Sequence, residues 1–424
     1  MIACGGGLAD SGGDGGTDAA IDHNTPLDAS MADVDTYQPI GTKCDPPDAA
    51  APPVWTPSDA GASPRPPLSA SLGGPTVTNP VFIPITFDGD DLRDPIEDFI
   101  ASVGCSSWWN AIAPDYGIND AYSGTPVHLS QTAPTTIDDS QIAVLIRDDI
   151  KNNTLPAAVP NQTLYVIYYP DTTDITLDGE HSCQSFGGYH NEVSLGAGQS
   201  VPYAVIPRCT SGGLGEQDQI TGTTSHELME AVTDPFPMSN PAYLFPEPNG
   251  VAWALGGGGE IGDLCESNLD SFFTPTDYPF TVQRIWTNHT AYFAHDPCQP
   301  SQTTYFGAAP VLADTISYDI GFGPQTTMGV ALALNASTTI SLNLIADAAW
   351  TTPITVTVHD ASHYQGGNTA LNFNLSPAQG NVGDTLQLQI TRIGTNTQIG
   401  MEPFVIRAQS QGISRSWWAV VGDP

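Results

Sequence analysis

The chain has 424 residues, and its 10 Lys and Arg stand against 46 Asp and Glu, a formal net charge of −36. A surface this acidic repels phosphate backbones, so the charge argues against nucleic acid as a partner. The length suits two folded domains and a tail. Strong acidity with only two lysines, Lys43 and Lys151, is typical of an exported protein.

The first 72 residues are dominated by Gly, Asp, Ala, Pro and Ser without apolar periodicity. Such a composition buries too little surface to offset ordering entropy, so residues 1–72 are predicted to form a disordered tether. Met1-Ile2-Ala3-Cys4 followed by glycines resembles the end of a bacterial lipoprotein signal, although no basic and apolar leader precedes Cys4. We expect a lipid anchor at Cys4 or, alternatively, a plain soluble tail, and no other membrane attachment.

Residues 73–300 mix strand and helix signals. Residues 77–87, 163–169 and 203–207 are rich in β-branched and aromatic residues and predict strands. Residues 96–112 and 137–150 predict helices. The order of these elements predicts an α+β fold, a mixed α/β catalytic domain similar to the zincins.

Residues 303–424 have a different texture. They contain no cysteine, alternate polar and apolar residues, and carry frequent turn signals, for example around 338–345, 354–358 and 386–390. This pattern predicts an antiparallel, immunoglobulin-like β-sandwich. We interpret it as an accessory binding or spacer domain.

The seven cysteines indicate an oxidising compartment. No Cys-x-x-Cys pair occurs, which argues against a cysteine-rich zinc site. If Cys4 is set aside, six cysteines remain, and three disulfides are the simplest account. Sequence order favours Cys183–Cys209, Cys265–Cys298 and Cys44–Cys105, with other pairings left open.

The chemistry of the chain is expected around residues 226–230, His-Glu-Leu-Met-Glu. On a helix His226 and Glu230 project from the same face, as the two histidines of the zincin motif His-Glu-x-x-His do. Glu227 takes the place of the zincin general base. The alternative is a helix that begins at Thr224, where Glu227 would only complete a capping box. A start near Gln217 would place the motif mid-helix, and we favour that version.

A metal site needs a third ligand. Glu260 and Asp263 follow a four-glycine run, which allows the backbone to approach closely, and they precede Cys265. His190 competes for the place, or it would donate a hydrogen bond to a substrate oxyanion. Asp234 is expected to orient His226. The open alternatives are Glu260, Asp263 and His190 as ligands, or plain loop residues.

One imidazole and two carboxylates suit Zn²⁺, and such oxygen-rich ligation also admits Mn²⁺ or Ca²⁺. Glu227 would then take a proton from a water that attacks a polarised carbonyl. The predicted function is a secreted or surface-tethered metallopeptidase, with a protein or peptide as substrate. The alternative is a non-catalytic adhesion or carbohydrate-binding protein that contacts cell-wall or extracellular glycans, with Trp108, Trp109, Trp253 and Trp286 as stacking candidates.

Several short motifs resemble those of the phosphate-induced protein 1 / EXORDIUM-like family. They lie at residues 106–109 (SSWW), 164–167 (LYVI), 188–190 (GYH), 203–206 (YAVI), 233–236 (TDPF) and 260–265 (EIGDLC). The resemblance covers about residues 75–300 and implies an extracellular protein. Plant members keep the Thr-x-Pro-Phe ending but lack the His-Glu pair, so His226 and Glu227 are expected to be dispensable for the fold.

Overall fold

The computed structural model describes residues 65–209, 214–256, 258–301, 304–320, 323–365, 367–395 and 399–424. The described chain mixes helices and strands and is rich in strands, which are distributed over several sheets. None of its helices is both long and apolar enough to span a membrane.

Residues 65–301 contain all the α-helices of the described chain. They are α1 (Arg93–Val103), α2 (Ser107–Ile112), α3 (Asp139–Lys151), α4 (Glu216–Thr233), α5 (Val251–Ala254), α6 (Asp263–Glu266) and α7 (Asn288–Tyr292). The strands of this region are β1 (Ser69–Ala70), β2 (Val81–Thr86), β3 (Tyr122–Ser123), β4 (Val127–His128), β5 (Thr136–Asp138), β6 (Thr163–Tyr169), β7 (Asp174–Leu177), β8 (Glu180–His181), β9 (Tyr189–Gly196), β10 (Gln199–Pro207), β11 (Phe245–Pro246), β12 (Phe272–Phe273), β13 (Val282–Gln283), β14 (Ile285–Trp286) and β15 (Cys298–Gln299).

A six-stranded sheet in the order β3-β2-β6-β10-β9, with β4 also paired to β2, organises this region. All its pairs are parallel except β9, which runs antiparallel to β10. The central strand β6 is buried on both faces, as parallel strands covered by helices are. Leu164 and Val166 belong to the core with α1, α2 and α4, whereas Tyr165 and Ile167 pack with α3.

The register of β9 determines where His190 points. His190 is the cross-strand partner of Ala204 on β10, and paired residues of neighbouring strands share one face of the sheet. Ala204 belongs to the core that includes Leu228 and Val232 of α4. His190 therefore lies on the face of the sheet that carries α4.

Several predicted elements are confirmed and two need correction. Strand β6 has the predicted bounds, 163–169. The single helix predicted over 96–112 is wrong, because α1 ends at Val103 and Ser106 starts α2 by accepting a hydrogen bond from the Trp109 amide at 3.0 Å. A Cβ at Gly104 would lie 2.7 Å from the Ala121 carbonyl oxygen, so the chain turns there in a space that only glycine fits.

The predicted tether of residues 1–72 is also corrected at its end. Residues 65–72 belong to the fold, because β1 pairs with β11 and the Pro67 carbonyl accepts a hydrogen bond from Trp286 Nε1 at 3.2 Å. Residues 1–64, and with them the predicted lipid anchor at Cys4, lie outside the described residues.

The predicted local disulfides are confirmed: Cys183–Cys209 and Cys265–Cys298 are both bonded. Cys105 is disulfide-bonded as well, and its predicted partner Cys44 lies outside the described residues. The two local bonds fit an oxidising, extracellular environment.

Residues 304–424 contain only strands and one short 3₁₀ turn among the described residues. The strands are β16 (Phe306–Pro310), β17 (Asp314–Tyr318), β18 (Gln325–Ala331), β19 (Ser337–Ala346), β20 (Ile354–Asp360), β21 (Leu371–Leu375), β22 (Gln379–Gly380), β23 (Thr385–Arg392), β24 (Met401–Ser410) and β25 (Ile413–Gly422). They form two sheets, β16-β19-β23-β21 and β17-β18-β25-β24-β20-β22.

The predicted alternation in this region is confirmed on β23, where Leu386, Leu388 and Ile390 are buried between exposed neighbours. The predicted antiparallel pairing holds for the described pairs of these two sheets except β18 and β25, which pair in parallel. The core of these sheets is continuous with that of α4 and the larger sheet. Trp417 of β25 packs edge-on against Trp253 of α5, with ring centroids 5.7 Å apart.

Candidate metal centre

The candidate site is built on α4, which begins at Glu216 and ends at Thr233. The preferred prediction of a start near Gln217 is therefore confirmed, and His226 lies mid-helix. The capping-box alternative at Thr224 is wrong, because Glu227 is twelve residues beyond the N-cap, Gly215. The helix ends before Asp234-Pro235, since a proline disfavours helical geometry in the residue before it.

His226 and Glu230 meet on one face of α4, as their four-residue spacing predicts. His226 Nε2 lies 3.0 Å from Glu230 Oε1 and 3.7 Å from Asp263 Oδ1. One ligand atom from each of these three side chains lies within 4.8 Å of the others. Glu230 Oε1 also accepts hydrogen bonds from the amides of Gly262, at 3.1 Å, and Asp263, at 3.3 Å. The structure thus brings the downstream acidic segment onto the motif helix.

The glycine-rich segment reaches the helix because it lacks side chains there. A Cβ at Gly262 would lie 2.6 Å from His226 Nδ1 and 2.7 Å from Glu230 Oε1. The segment is held from the other side by a hydrogen bond from the Trp286 amide to the Ile261 carbonyl, at 2.9 Å. Cys265, two residues after Asp263, is bonded to Cys298 of β15 and ties the segment down.

His190 approaches the same helix from β9. Its Nδ1 lies 3.7 Å from both Glu227 Oε2 and Glu230 Oε2, and its Nε2 lies 3.5 Å from Glu260 Oε1. His190, Glu230 and Glu260 form a second group of ligand atoms within 4.8 Å of one another. Gly188 gives β9 the room for this, because a Cβ there would lie 2.8 Å from Glu227 Oε1. All three residues considered for the third ligand position therefore reach the site.

Two hydrogen bonds differ from the sequence-based expectation for Asp234. The Asp234 carboxylate accepts from the Ala242 amide at 2.7 Å, and its backbone carbonyl lies 3.2 Å from His190 Nε2. Asp234 thus orients His190, and the prediction that it orients His226 is wrong. The reason is geometric: Asp234 follows the last helical residue, Thr233, and the chain there has already turned towards β9.

The partner of His226 is Gln283, which sequence reasoning missed. His226 Nδ1 lies 2.9 Å from Gln283 Oε1, and Gln283 Nε2 donates to the Gly262 carbonyl at 2.7 Å. The Gln283 amide in turn donates to Ser225 Oγ at 2.8 Å. The only sequence signal was a polar side chain inside the apolar run that became β13 and β14.

Every functional side chain of the site is closed off from solvent. His226 and Glu227 are 0% exposed and Glu230 and Glu260 are 1% exposed, while His190 and Asp263 reach only 5% and 8%. Within the part of the chain that the structure describes, His190 Nδ1, Asp263 Oδ1 and both carboxylate oxygens of Glu227 make no hydrogen bond, and His226 Nε2 meets the carboxylates of Glu230 and Asp263. Buried polar atoms without partners are costly, so these atoms point to a ligand.

The pKa shifts of these buried groups also favour a bound cation. Burial raises the pKa of Glu227, and burial together with the charge of Glu230 holds the pKa of Asp263 well above its ordinary value. Burial alone would lower the pKa of His226, but the charges of Glu230, Glu227 and Asp263 outweigh it and raise that pKa strongly. The pKa of Glu230 is lowered, because His226 and His190 overcome the effect of its burial. Without a cation, the site can only neutralise itself by holding protons.

The donor set fits a divalent cation. Five buried carboxyl groups converge here, those of Glu227, Glu230, Asp234, Glu260 and Asp263. Within the described chain, their ion pairs involve histidines and neither Lys nor Arg. Buried carboxylates need compensating positive charge, and imidazole and carboxylate together suit Zn²⁺ or Mn²⁺.

Comparisons with known proteins add little. No protein-family model and no curated protein matches the chain. Among solved structures, titin M4 in its trigonal crystal form is 11% identical to this chain, with a TM-score of 0.15. The match covers 28% of this chain and 100% of that one, and a similarity this low supports no argument about fold or function.

Proposed function

We propose that the protein is a metal-dependent hydrolase, a metallopeptidase whose His226-Glu227-x-x-Glu230 helix holds Zn²⁺, with Mn²⁺ or Ca²⁺ as alternatives. The single observation that supports this most is the convergence of His226, Glu230 and Asp263 beside Glu227, whose buried carboxylate makes no hydrogen bond among the described residues. A divalent cation bound there would polarise a carbonyl oxygen and acidify a water molecule.

The residues of the chain divide the remaining work. Glu227, whose pKa is raised by burial, is the general base that accepts the proton of the attacking water. His190, with Nδ1 facing Glu227 and Glu230, is placed either to ligate metal or to donate a hydrogen bond to the developing oxyanion. Gln283 fixes the orientation of His226, and the Asp234 carbonyl fixes that of His190.

The wider assignment belongs to the same proposal. We place the protein outside the cell, secreted or tethered by a lipid at Cys4, with a protein or peptide as substrate. The α/β part would be a zincin-like catalytic domain related to the EXORDIUM-like family, and residues 303–424 an immunoglobulin-like accessory sandwich. The two local disulfides support the extracellular location.

Complete burial of the site favours a second candidate, a non-catalytic extracellular protein with a structural metal. A peptide reaches Glu227 only if part of the fold around the buried site moves, whereas a structural ion needs no such movement. The adhesion or glycan-binding version of this candidate lacks its predicted stacking residues, because Trp108, Trp109, Trp253 and Trp286 are all buried.

Metal analysis of the purified chain, together with casein hydrolysis, separates the two candidates. Stoichiometric zinc and casein cleavage that Glu227→Gln abolishes would support the peptidase. The matched control is Glu192→Gln on β9, whose carboxylate accepts hydrogen bonds from Ser239 at the surface and whose loss should leave activity unchanged. Bound zinc without cleavage by the wild type would support the structural ion. Absence of any bound divalent metal after refolding with Zn²⁺, Mn²⁺ or Ca²⁺ would refute both.

A further inference from the structure

The carboxylate of Glu230 faces two imidazoles, one with each oxygen. Its Oε1 lies 3.0 Å from His226 Nε2, and its Oε2 lies 3.7 Å from His190 Nδ1. Each imidazole has a further carboxylate of its own, Asp263 beside His226 and Glu260 beside His190. The site therefore contains two groups, each of one imidazole and two carboxylates, and both groups include Glu230.

From this arrangement we propose that the site binds two divalent cations, with Glu230 as the bridging carboxylate. The first ion takes His226, Glu230 and Asp263, and the second takes His190, Glu230 and Glu260. Hydrolases with two-metal sites hold their ions about 3.5–4 Å apart, a separation that one carboxylate can bridge. This inference rests on the metal site of the proposed function and specifies how many ions it holds.

The hydrogen bonds leave one nitrogen of each imidazole directed at the shared carboxylate. His226 Nδ1 is bonded to Gln283, so Nε2 is left for an ion. His190 shows the opposite choice, because its Nε2 lies 3.2 Å from the Asp234 carbonyl and its Nδ1 makes no hydrogen bond within the described residues. Glu260 Oε1 lies 3.5 Å from Nε2 of the same ring, and one ligand atom each of His190, Glu230 and Glu260 still lies within 4.8 Å of the others. Both free nitrogens are fully buried and face Glu230, as ligand atoms of two neighbouring ions would.

The charge of the site also favours two ions over one. Five carboxyl groups, that of Glu230 included, are buried at the site, and among the described residues those of Glu227, Glu230 and Asp263 form ion pairs with histidines. With these five groups ionised and the imidazoles neutral, their summed charge is −5; one divalent ion reduces it to −3 and two ions reduce it to −1. Unpaired charge in a closed interior is strongly unfavourable, so the second ion removes most of the imbalance.

The test is a count of bound ions on the intact chain, loaded with Mn²⁺ and freed of excess metal. We expect two ions per chain by mass spectrometry of the metal and a spin-coupled electron paramagnetic resonance signal in place of that of isolated Mn²⁺. His190→Gln should bind one ion and lose the coupling. The matched control His181→Gln, an exposed histidine beside Asp174, should keep two coupled ions.

The outcomes distinguish this inference from the proposed function. One uncoupled ion in the wild type, unchanged by His190→Gln, would overturn the two-ion site, leave the hydrolase proposal intact and assign His190 to hydrogen bonding. No bound ion would overturn both. The spin-coupled signal is measured on the wild type, so the inference stays testable even if His190→Gln fails to fold.

Discussion

His226 Nδ1 lies 2.9 Å from Gln283 Oε1, and this contact determines which nitrogen of His226 is free. Gln283 Nε2 donates to the Gly262 carbonyl, so the other end of the amide, Oε1, must accept. His226 therefore carries a proton on Nδ1 and presents Nε2 to Glu230 and Asp263. Histidine ligands of metals are commonly oriented in this way, by a hydrogen bond from the nitrogen that does not bind the ion.

Replacing Gln283 by leucine should weaken metal binding about 10–100-fold, the usual effect of removing a group that orients a metal ligand. The Gln283→Glu variant keeps an acceptor for Nδ1 and should lose less. Competition with a chromogenic chelator measures both affinities. Gln299→Leu is the matched control, because Gln299 is an equally buried glutamine that binds Asp296 and Ser301 instead. Equal losses in Gln283→Leu and Gln299→Leu would contradict the orienting role.

Residue spacing predicted contacts along one helix but did not predict contacts that depend on tertiary packing. The four-residue spacing of His226 and Glu230 predicted their shared face. The close approach expected of the glycine run before Glu260 is made instead by Gly262, two residues after Glu260. Gln283 could not be found this way, since it lies 57 residues from His226 and contacts it only through tertiary packing. The partner of Asp234 was missed because it depends on the direction of the chain after α4.

The fold was also predicted in part. The β-branched and aromatic residues of 163–169 predicted the strand β6, and the structure adds that this strand is buried on both faces. The break between α1 and α2 was missed although the sequence carries a local signal for it: Gly104 interrupts the apolar residues, and Ser106 is of a residue type that commonly caps a helix, as it does for α2.

Gly262→Ala should weaken metal binding about 10–100-fold. The backbone of Gly262 has φ of −74°, which alanine adopts freely, so the effect would come from its Cβ pushing on His226 and Glu230. Gly215→Ala is the matched control: its φ is −62°, and its new Cβ would make only an ordinary contact with Asp218, at 3.5 Å. Isothermal titration of both variants gives the affinities, and unchanged binding in Gly262→Ala would refute the close approach.

Metal binding should release protons. The pKa values of Asp263 and His226 are raised well above their ordinary values in the metal-free protein, so these groups hold protons that a cation must displace. The affinity for metal therefore rises with pH as long as the metal-free site is protonated, and it falls in acid. Titration calorimetry in buffers of different ionisation enthalpy counts the released protons. A binding heat that is independent of the buffer would contradict this expectation.

Removing the Cys265–Cys298 disulfide should lower the free energy of unfolding by about 3–4 kcal/mol, as loop closure predicts for a bond that spans 33 residues. The double variant Cys265→Ser/Cys298→Ser should also bind metal more weakly, because Asp263 lies two residues from Cys265. The matched control is Cys183→Ser/Cys209→Ser, whose separation of 26 residues predicts a similar loss of stability. Urea denaturation measures stability. Equal metal affinity in both double variants would show that the Cys265–Cys298 bond does not position Asp263.

Arg415 of β25 joins the C-terminal sheets to the region that contains the site. Its guanidinium lies 2.7 Å from both Asp270 Oδ1 and Asp296 Oδ2, and Arg415 and Asp296 are both buried. Arg415→Met would leave the Asp296 carboxylate without this partner in the interior, at an expected cost of about 3–5 kcal/mol. Arg147→Met is the matched control: its pair with Asp148 is exposed, and such pairs contribute about 1 kcal/mol or less.

Urea denaturation followed by tryptophan fluorescence compares the two variants, because Trp417 packs on Trp253 across the same boundary. Similar stabilities would mean that residues 304–424 behave as an independent spacer, whereas a large loss in Arg415→Met alone would show that they support the fold around the metal centre.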